Sequence, residues 1–271
     1  MLVGARNAIL AGGAKLPYDK QVEYLQSNGN QYINTGVYPT NSLTVEVRAY
    51  RTASTTADEV LFGSRMYNSY CDVTIWTNPL QGSKGIAAHF AYGTNGMTVE
   101  DSGWVYKGNI LNEWITTLVT PQEIKVNGQS VYSWKNSRTP YTSTRAAYLF
   151  AMYSDIAVDT RKFIGRVSKC AISNNGVLVR DFIPVRFTNE NGVTEGAMFD
   201  RANPTVGMNP DGSARDDGLY RNRGTGAFVI GPDASAANGG GYKRQCVRRS
   251  HRRSWRPSAR FCSPRLWKEV A

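Results

Sequence analysis

Short runs in which apolar and polar residues alternate one by one constrain the fold of this chain more than any other feature. In the run LTVEVRAY, which begins at Leu43, the apolar residues fall on one side of an extended strand, and Thr, Glu, Arg and Tyr fall on the other. The same alternation recurs from Cys71 to Trp76 and from Ile86 to Tyr92. It is typical of antiparallel strands with one buried face. No long stretch shows the period of about 3.6 residues expected of a helix, so the pattern favours an all-β fold over an α/β fold.

Two Asn-Gly pairs mark hairpins between such runs. Asn127-Gly128 separates QEIKV from QSVYSW, and Asn175-Gly176 separates CAIS from VLVRDF. Asn and Gly both tolerate a positive φ, which a type I′ turn needs at both central positions. About a dozen strands are predicted between Val22 and Pro232, more than one flat sheet holds comfortably. We therefore expect a jelly-roll sandwich, in which two antiparallel sheets bury their apolar faces against each other.

Composition divides the chain into three regions. Residues 1–21 form a predicted N-terminal peg or anchor, residues 22–233 one β-domain, and residues 234–271 a small-residue linker with an Arg-rich tail. The net charge is +11, but residues 242–271 hold ten Lys or Arg and one Glu. The remaining chain carries 22 basic and 20 acidic residues and is almost neutral. The tail is predicted to be disordered, and any attraction to a polyanion is expected of the tail alone.

The segment from Met1 to Lys15 resembles a secretory signal only in part. Its apolar stretch, Ala8 to Ala11, is too short for a signal peptide, and Arg6 lies within the segment instead of before it. The sequence contains no run of 18 apolar residues, so no membrane-spanning helix is predicted. We therefore expect a short apolar or helical peg, and no route through general secretion.

The four cysteines form no Cys-x-x-Cys pair. Cys71 and Cys170 lie in strand-like runs, where a buried free thiol is the expected state. Cys246 and Cys262 lie in the tail with His251, and these three ligands have a spacing that fits no zinc finger. No metal site is predicted, and the spacing neither requires a disulfide framework nor excludes one bridge.

Three segments of the β-region resemble known families. The hairpin NEWITTLVTPQEIKVNGQSV, residues 112–131, is similar to one in laminin-G-like, concanavalin A-like domains. The opening VEYLQSNGNQYINTGVYPT (22–40) and the closing FIGRVSKCAISNNGVLVRDFIPVR (163–186) resemble a narrower group found on tailed phages and prophages of gut bacteria and in their hosts. LFGSR at 61–65, GAMFDRAN at 196–203 and NRGTGAFVIGPD at 222–233 extend this likeness. The hairpin residues that match are Trp114, Leu118, Val119, Thr120, Ile124, Val126, Asn127 and Gly128.

The resemblance covers roughly residues 22–233 and implies a two-sheet jelly roll of the concanavalin A-like lectin/glucanase type. In such sandwiches the first and last strands pair, so the two terminal signatures would lie together. The resemblance also implies a virion appendage, located on a virion or an extracellular surface, that binds a cell-surface glycan or another surface ligand during host adhesion. Other virion proteins would then be partners of the N-terminal segment, and an oligomer is compatible with this role. Members of the group usually stop soon after the Gly-Pro-Asp at 231–233, whereas this chain continues.

Catalytic motifs are missing from the sequence. Related sandwich glycosidases carry a Glu-x-Asp-x-x-Glu run, because a retaining mechanism needs two carboxyl groups about 5 Å apart in one cleft. This chain has no such run: Asp58-Glu59 and Glu100-Asp101 are adjacent residues, and Asp155 and Asp159 are isolated. There is also no GxSxG, HExxH or Walker loop. We expect no enzyme activity, and a glycoside hydrolase that uses dispersed acids remains the enzymatic alternative.

Sugar-binding candidates are aromatic side chains that can stack on the C–H groups of a pyranose, with polar groups beside them. The ordinary alternative for such aromatics is a place in the core or on the sheet surface, and for a histidine a simple hydrogen bond. Calcium occurs in laminin-G-like domains, but no Asp-rich loop here resembles a hard-cation site, so no cofactor is predicted. The candidates are Arg65, Tyr67, Asn68, Tyr70, Trp76, His89 and Tyr92.

Two further alternatives stay open. The domain could be a structural or decoration protein of a virion, without ligand recognition, held by residues 1–15. The tail could be an arm for nucleic acid, with Trp255 and Phe261 available to stack on bases. It could instead be an extension without selected function, such as a shifted reading frame, and its jumbled composition slightly favours that interpretation.

Overall fold

The computed structural model describes residues 16–66, 70–92, 98–153, 158 and 161–235, without the side chains of 66 and 70–72. Two compact units divide the chain, Met1–Gly239 and Gly240–Ala271. The second unit lies wholly outside the described residues, as do residues 1–15. The predictions about the peg, the basic tail, the zinc alternative and the nucleic-acid arm therefore concern residues of which the structure says nothing.

The described residues form β-strands, turns and loops and contain no helix, so none that could cross a membrane. The strands make two sheets, one of thirteen strands and one of six. The large sheet contains β1 (Lys20–Gln21), β2 (Leu25–Asn28), β4 (Leu43–Arg51), β9 (Trp114–Val119), β10 (Glu123–Val126), β11 (Gln129–Ser133), β13 (Ile164–Asn174), β14 (Val177–Thr188), β15 (Thr194–Asp200), β16 (Gly207–Met208), β17 (Ala214–Arg215), β18 (Leu219–Arg221) and β19 (Val229–Ile230). The small sheet contains β3 (Ile33–Asn34), β5 (Glu59–Met66), β6 (Tyr70–Thr77), β7 (Ile86–Ala91), β8 (Val99–Tyr106) and β12 (Tyr148–Leu149).

The two sheets pack face to face around one main hydrophobic core. Val45 and Val47 of β4 and Ile172 of β13 supply the large sheet's side, and Ile75 of β6 and Phe90 of β7 supply the small sheet's side. Nearly all strand pairs are antiparallel, and the chain crosses between the sheets repeatedly, at β3, β4, β5, β9, β12 and β13. The predicted all-β, two-sheet jelly-roll sandwich is confirmed.

The ends of the β-domain meet in the large sheet. β2 pairs with β13 along one edge and with β19 along the other, and Val22 bridges Asp233. The two terminal signatures therefore lie together and close the sandwich, as the resemblance implies. The sheet also includes residues before 22, because Lys20 and Gln21 of β1 pair with Arg186 and Val185 of β14.

Both Asn-Gly hairpins have the expected backbone. Asn127 and Gly128 have φ of 49° and 80°, and Asn175 and Gly176 have 50° and 73°. Positive φ at both central residues is the signature of the type I′ turn, whose twist matches the flanking strands. The first hairpin joins β10 to β11, and the second joins β13 to β14.

The strands near the end of the β-domain are very short. The segment before the last strand contains β16, β17 and β18, and the last strand spans only Val229 and Ile230. Strands of two residues carry too little alternation to be recognised in sequence, and for that reason about a dozen strands were expected where nineteen are described.

Candidate functional site

Trp76 and His89 lie together on the outer face of the small sheet. Backbone pairing aligns Val60, Trp76, Ala87 and Trp104 in one row across β5, β6, β7 and β8. The ring centroids of Trp76 and His89 are 5.8 Å apart. The structure thus brings these two predicted site residues into contact.

The indole of Trp76 is nevertheless covered. Only 7% of the residue is exposed, and it belongs to a small hydrophobic cluster with Val60, Ala87 and Met152. Its Nε1 donates a hydrogen bond to the hydroxyl of Thr74, and the guanidinium of Arg161 lies 4.6 Å from the ring centroid. A sugar ring could stack on this indole only if the side chains that bury it moved away.

His89 has a carboxylate neighbour. Its Nε2 lies 3.3 Å from Oδ1 of Asp101 on β8, the residue with which it pairs. The hydrogen bond to His89 holds the pKa of the Asp101 carboxyl below its ordinary value. As predicted, His89 faces away from the core, which contains Ala88 and Phe90.

The other predicted site residues are not assembled with Trp76 by any contact of the described chain. Arg65 is half-buried in β5, and its backbone N–H donates to the carbonyl of Tyr153. The ring of Tyr92 lies 5.8 Å from the guanidinium of Arg138. Tyr67 and Asn68 lie outside the described residues, as does the side chain of Tyr70, so their predicted roles stay predictions.

A second group of aromatic and charged side chains occupies the outer face of the large sheet. Backbone pairing aligns Trp114, Tyr50, Arg166 and Gln26 in one row across β9, β4, β13 and β2. Side chains that pair directly across strands share a face of the sheet. We call this group the Trp114 cluster; its members are Tyr24, Gln26, Arg48, Tyr50, Trp114 and Arg166.

The rings of the Trp114 cluster touch each other. The ring centroids of Tyr50 and Trp114 are 5.4 Å apart, and those of Tyr24 and Trp114 are 6.3 Å apart. Arg166 lies between the two tyrosines, with its guanidinium carbon 4.5 Å from the ring centroid of Tyr24 and 5.0 Å from that of Tyr50. The guanidinium of Arg48 lies 4.9 Å from the Trp114 ring. These distances are those of aromatic pairs and cation–π contacts.

The Trp114 cluster is accessible and stands apart from the core. Arg48 is exposed and the other five members are half-buried. Tyr24, Tyr50 and Trp114 neither belong to the three hydrophobic clusters of the described residues nor pack against them. An aromatic group of this kind on a solvent-facing sheet is typical of a binding surface more than of a structural core.

The two ends of the β-domain help to build this cluster. Tyr24 precedes β2, and Gly231 of the closing Gly-Pro-Asp lies against it, with their backbones joined by a hydrogen bond of 3.0 Å. A Cβ atom at Gly231 would lie 3.0 Å from ring carbon Cδ1 of Tyr24 and from its backbone N and O. Glycine therefore lets the last strand approach the tyrosine closely.

The sequence contained part of the signal for the Trp114 cluster. Alternation in LTVEVRAY places Arg48 and Tyr50 on the polar side of β4, and Trp114 is a residue of the laminin-G-like hairpin. The register that aligns these residues with Arg166 and Gln26 joins strands far apart in the chain. No local pattern reveals such a register, so the cluster was missed.

The buried carboxylates of the described chain have structural partners. Glu59 forms an ion pair with Arg51 at 2.9 Å and accepts the backbone N–H of Ile164. Burial raises the pKa of the Glu59 carboxyl and lowers that of the Arg51 guanidinium. Arg51 also donates to the backbone carbonyls of Ala53, Thr55, Ala57 and Thr77, which ties the 52–58 loop to β4.

Glu100 and Asp200 are held in the same way. Glu100 pairs with Arg138 at 3.2 Å and accepts the backbone N–H groups of Lys135 and Asn136. Burial by itself would raise the pKa of the Glu100 carboxyl, but these hydrogen bonds outweigh burial and hold that pKa below its ordinary value. Asp200 is fully buried and accepts the backbone N–H groups of Asp181 and Ala202.

The described residues offer neither a metal site nor a reactive thiol. Among the described residues, no three His, Cys, Asp or Glu side chains come close enough to hold a metal ion. Cys170 is a free, fully buried thiol in β13, as predicted. Burial raises its pKa, so the reactive thiolate is disfavoured.

Comparisons with known proteins add two distant structural likenesses. No family model matches the chain, and no curated protein does. A candidate carbohydrate-binding protein from Bacteroides ovatus is 15% identical, with a TM-score of 0.47 over 80% of this chain. A heptameric SAP-like pentraxin from Limulus polyphemus is 10% identical, with a TM-score of 0.39 over 59% of this chain and 77% of its own. The match spans 61% of the Bacteroides protein's length, and the fold is assigned here from the strand pairing itself.

Proposed function

We propose that this chain is a carbohydrate-binding protein without catalytic activity, and that its glycan lies on the Trp114 cluster. The observation that supports this proposal is a contiguous group of three rings on a solvent-facing sheet, outside every hydrophobic cluster of the described residues. Aromatic faces can stack on the C–H groups of a pyranose, while Gln26 and the two arginines offer hydrogen bonds to hydroxyl groups.

The carboxylates of the described residues support a binding role over hydrolysis. Glycosidases need two carboxyl groups that face one cleft, about 5 to 9.5 Å apart. Glu59, Glu100 and Asp200 each accept hydrogen bonds from different backbone segments. None of the three is a member of the Trp114 cluster, whose six members include no carboxylate.

The cellular setting is proposed from the sequence resemblance alone. We place the protein on a virion or another extracellular surface, where it would bind a glycan of the host cell and attach to other virion proteins through residues 1–15. Deleting residues 1–15 should then remove the protein from purified particles while leaving its glycan affinity unchanged. Retention of the truncated protein in particles would contradict the anchoring role.

A glycan array with the purified full-length chain tests the binding proposal. We expect the wild type to bind at least one class of glycan. Trp114→Ala should lose this binding, because it removes the ring that contacts both tyrosines of the Trp114 cluster. Trp76→Phe is measured beside it. Loss of binding in Trp76→Phe alone would move the site to the small sheet. A chain that binds no glycan at low or high salt would refute the proposal and favour the structural or decoration alternative.

A further inference from the structure

The Trp114 cluster carries more positive charge than the binding of a neutral sugar requires. Arg48 and Arg166 both lie over its rings, and neither contacts a carboxylate among the described residues. The acid closest to them along β4 is Glu46, which is paired with Lys169 at 2.5 Å. Two positive groups are therefore left without counter-charges on one face, although the β-domain as a whole is almost neutral.

The guanidinium of Arg166 is oriented in advance. Its Nε donates to Oε1 of Gln26 at 2.8 Å, and the rings of Tyr24 and Tyr50 flank it. The two terminal nitrogens have no protein acceptor in the described chain, and they are not among its buried unpaired atoms. On a half-buried residue they remain available as a planar pair of donors, which can bind a carboxylate or sulfate through two parallel hydrogen bonds.

Arg48 supplies a second positive group at the same surface. It lies on β4 two residues before Tyr50, so both side chains leave the same face of the sheet. Its guanidinium lies 4.9 Å from the centroid of the Trp114 ring, and the residue is exposed to solvent. Among the described carboxylates near Trp114, Glu113 accepts a hydrogen bond from Asn109 and does not neutralise Arg48.

We propose that the glycan bound by the Trp114 cluster is acidic, with its anionic group held by the terminal nitrogens of Arg166 and its neighbouring ring stacked beside Trp114. The inference rests on the proposed function, because it specifies the ligand of the same site. The anionic group can be the carboxylate of a uronic acid or a sulfate ester. Arg48 adds attraction for the following anionic residue of the same chain.

Calorimetry with the full-length chain tests this inference. The probes are a trigalacturonate, its neutral galactose counterpart of the same length, and the same galactose trisaccharide sulfated on its primary hydroxyl groups, which carries sulfate and no carboxylate. We expect at least one anionic probe to bind about tenfold or more tightly than the neutral one, the scale of one charge-assisted hydrogen-bond pair. Which anionic probe binds tells carboxylate from sulfate.

Variants then assign the preference to the guanidinium. Arg166→Gln should weaken the preferred anionic probe about tenfold and leave the neutral probe within about twofold, because the stacking rings remain. Arg166→Lys keeps the charge but loses the planar fork, so an intermediate affinity is expected. Lys107→Gln, an exposed residue of the chain outside the cluster, removes the same charge and should change neither affinity.

The basic tail is present in every variant, so its attraction for anions cancels in these comparisons. Equal loss of anionic affinity in Lys107→Gln and Arg166→Gln would overturn the inference, since the effect would then follow net charge. Equal affinity for neutral and anionic probes, both lost in Trp114→Ala, would overturn the inference and leave the proposed function standing. Absence of binding by all three probes and on the array would overturn both.

Discussion

Trp76 and Trp114 occupy comparable places on opposite faces of the sandwich, and each has an arginine over its ring. The guanidinium distances are similar, 4.6 Å from Arg161 to Trp76 and 4.9 Å from Arg48 to Trp114. Their surroundings differ. Trp76 is 7% exposed among Val60, Ala87 and Met152, whereas Trp114 is half-buried among tyrosines and arginines.

The comparison shows that a tryptophan with an arginine over its ring can have either a structural or a binding role. The small sheet is covered near Trp76 by Met152 and Arg161, residues outside its strands, and the indole becomes part of a second hydrophobic cluster. Over Trp114 the large sheet carries only the exposed Arg48 and no apolar residue of the hydrophobic clusters, so its polar row stays half-exposed to solvent. We infer that the first tryptophan stabilises the fold and that the second is available for binding.

Replacing each tryptophan with alanine should separate these two roles most strongly. Trp76→Ala opens a cavity in a packed cluster and should lower the free energy of unfolding by about 3–5 kcal/mol. Trp114→Ala removes mainly aromatic and cation–π contacts at a half-exposed site, for about 0.5–1.5 kcal/mol. Urea unfolding monitored by circular dichroism measures both values.

Trp76→Phe is the control for this pair of variants, because it keeps a ring in the cluster and should cost less than Trp76→Ala. Equal losses for Trp76→Ala and Trp114→Ala would show that both faces are structural. That result would remove the basis for treating the large-sheet face as a binding surface.

A smaller effect is expected from added volume on the two faces. A Cβ atom at Gly63 of β5 would lie 2.5 Å from Cγ2 of Thr74 and 2.9 Å from the carbonyl oxygen of Val73. Gly63→Ala should therefore cost about 1–3 kcal/mol, as overpacking does. Ala171→Ser, at a half-exposed position of the large sheet, should stay within about 0.5 kcal/mol of the wild type.

Thermal unfolding of the two variants gives this difference directly. Adding Thr74→Ser to Gly63→Ala removes the nearer clashing carbon and should restore part of the loss. If Gly63→Ala is as stable as the wild type, the small-sheet face is looser than its contacts indicate.

The fold could be predicted from sequence because its determinants are local. Alternation in LTVEVRAY and the positive φ of two Asn-Gly turns fix strand and hairpin over a few residues each. The closure of β2 on β19 was also expected, although only through the family resemblance. The two-residue strands β16 and β17 were not, since four residues contain no readable period.

The candidate site could not be predicted in the same way. Trp76 was selected as an aromatic side chain able to stack on a sugar, and alternation correctly places it on an outer face. Its exposure depends on Met152 and Arg161, more than 70 residues away in sequence. Trp114 was noted only as a motif residue. Its significance depends on a row of residues from four strands, and a row of this kind is a property of register.

The solvent accessibility of the two indoles can be compared in Trp→Phe variants, which change the stability less than the alanine variants do. Acrylamide quenches the fluorescence of exposed tryptophans, and the chain contains six. Trp114→Phe should remove a readily quenched component, because its indole is half-exposed, whereas Trp76→Phe should remove a protected one. Stern–Volmer plots of the wild type and the two variants give the comparison. Stronger protection of Trp114 than of Trp76 would reverse the assignment of the open face.

The smallest expected effect is a difference in acid response between the faces. The hydrogen bond from His89 holds the pKa of Asp101 below its ordinary value. A depressed carboxyl pKa stabilises the folded state above the unfolded pKa of about 3.9, and this contribution is lost as the pH falls through the folded value. The side chain of Asp101 is 64% exposed, so the contribution is small. The Trp114 cluster contains no carboxylate and should show no such dependence.

Carbon-detected NMR titration of the Asp101 carboxyl measures this difference. We expect its midpoint to rise towards the ordinary value in His89→Leu, because leucine supplies neither the hydrogen bond nor the positive charge of an imidazolium. In urea unfolding, the stability difference between wild type and Asp101→Asn should shrink as the pH falls from 6 to 3. The difference between wild type and Trp114→Ala should stay constant over the same range, since cation–π contacts to arginine do not titrate there. A Trp114→Ala difference that also shrinks in acid would mean that a carboxylate acts on the large-sheet face. That carboxylate would compete with an acidic glycan for the arginines of the Trp114 cluster, which would count against the acidic-glycan inference.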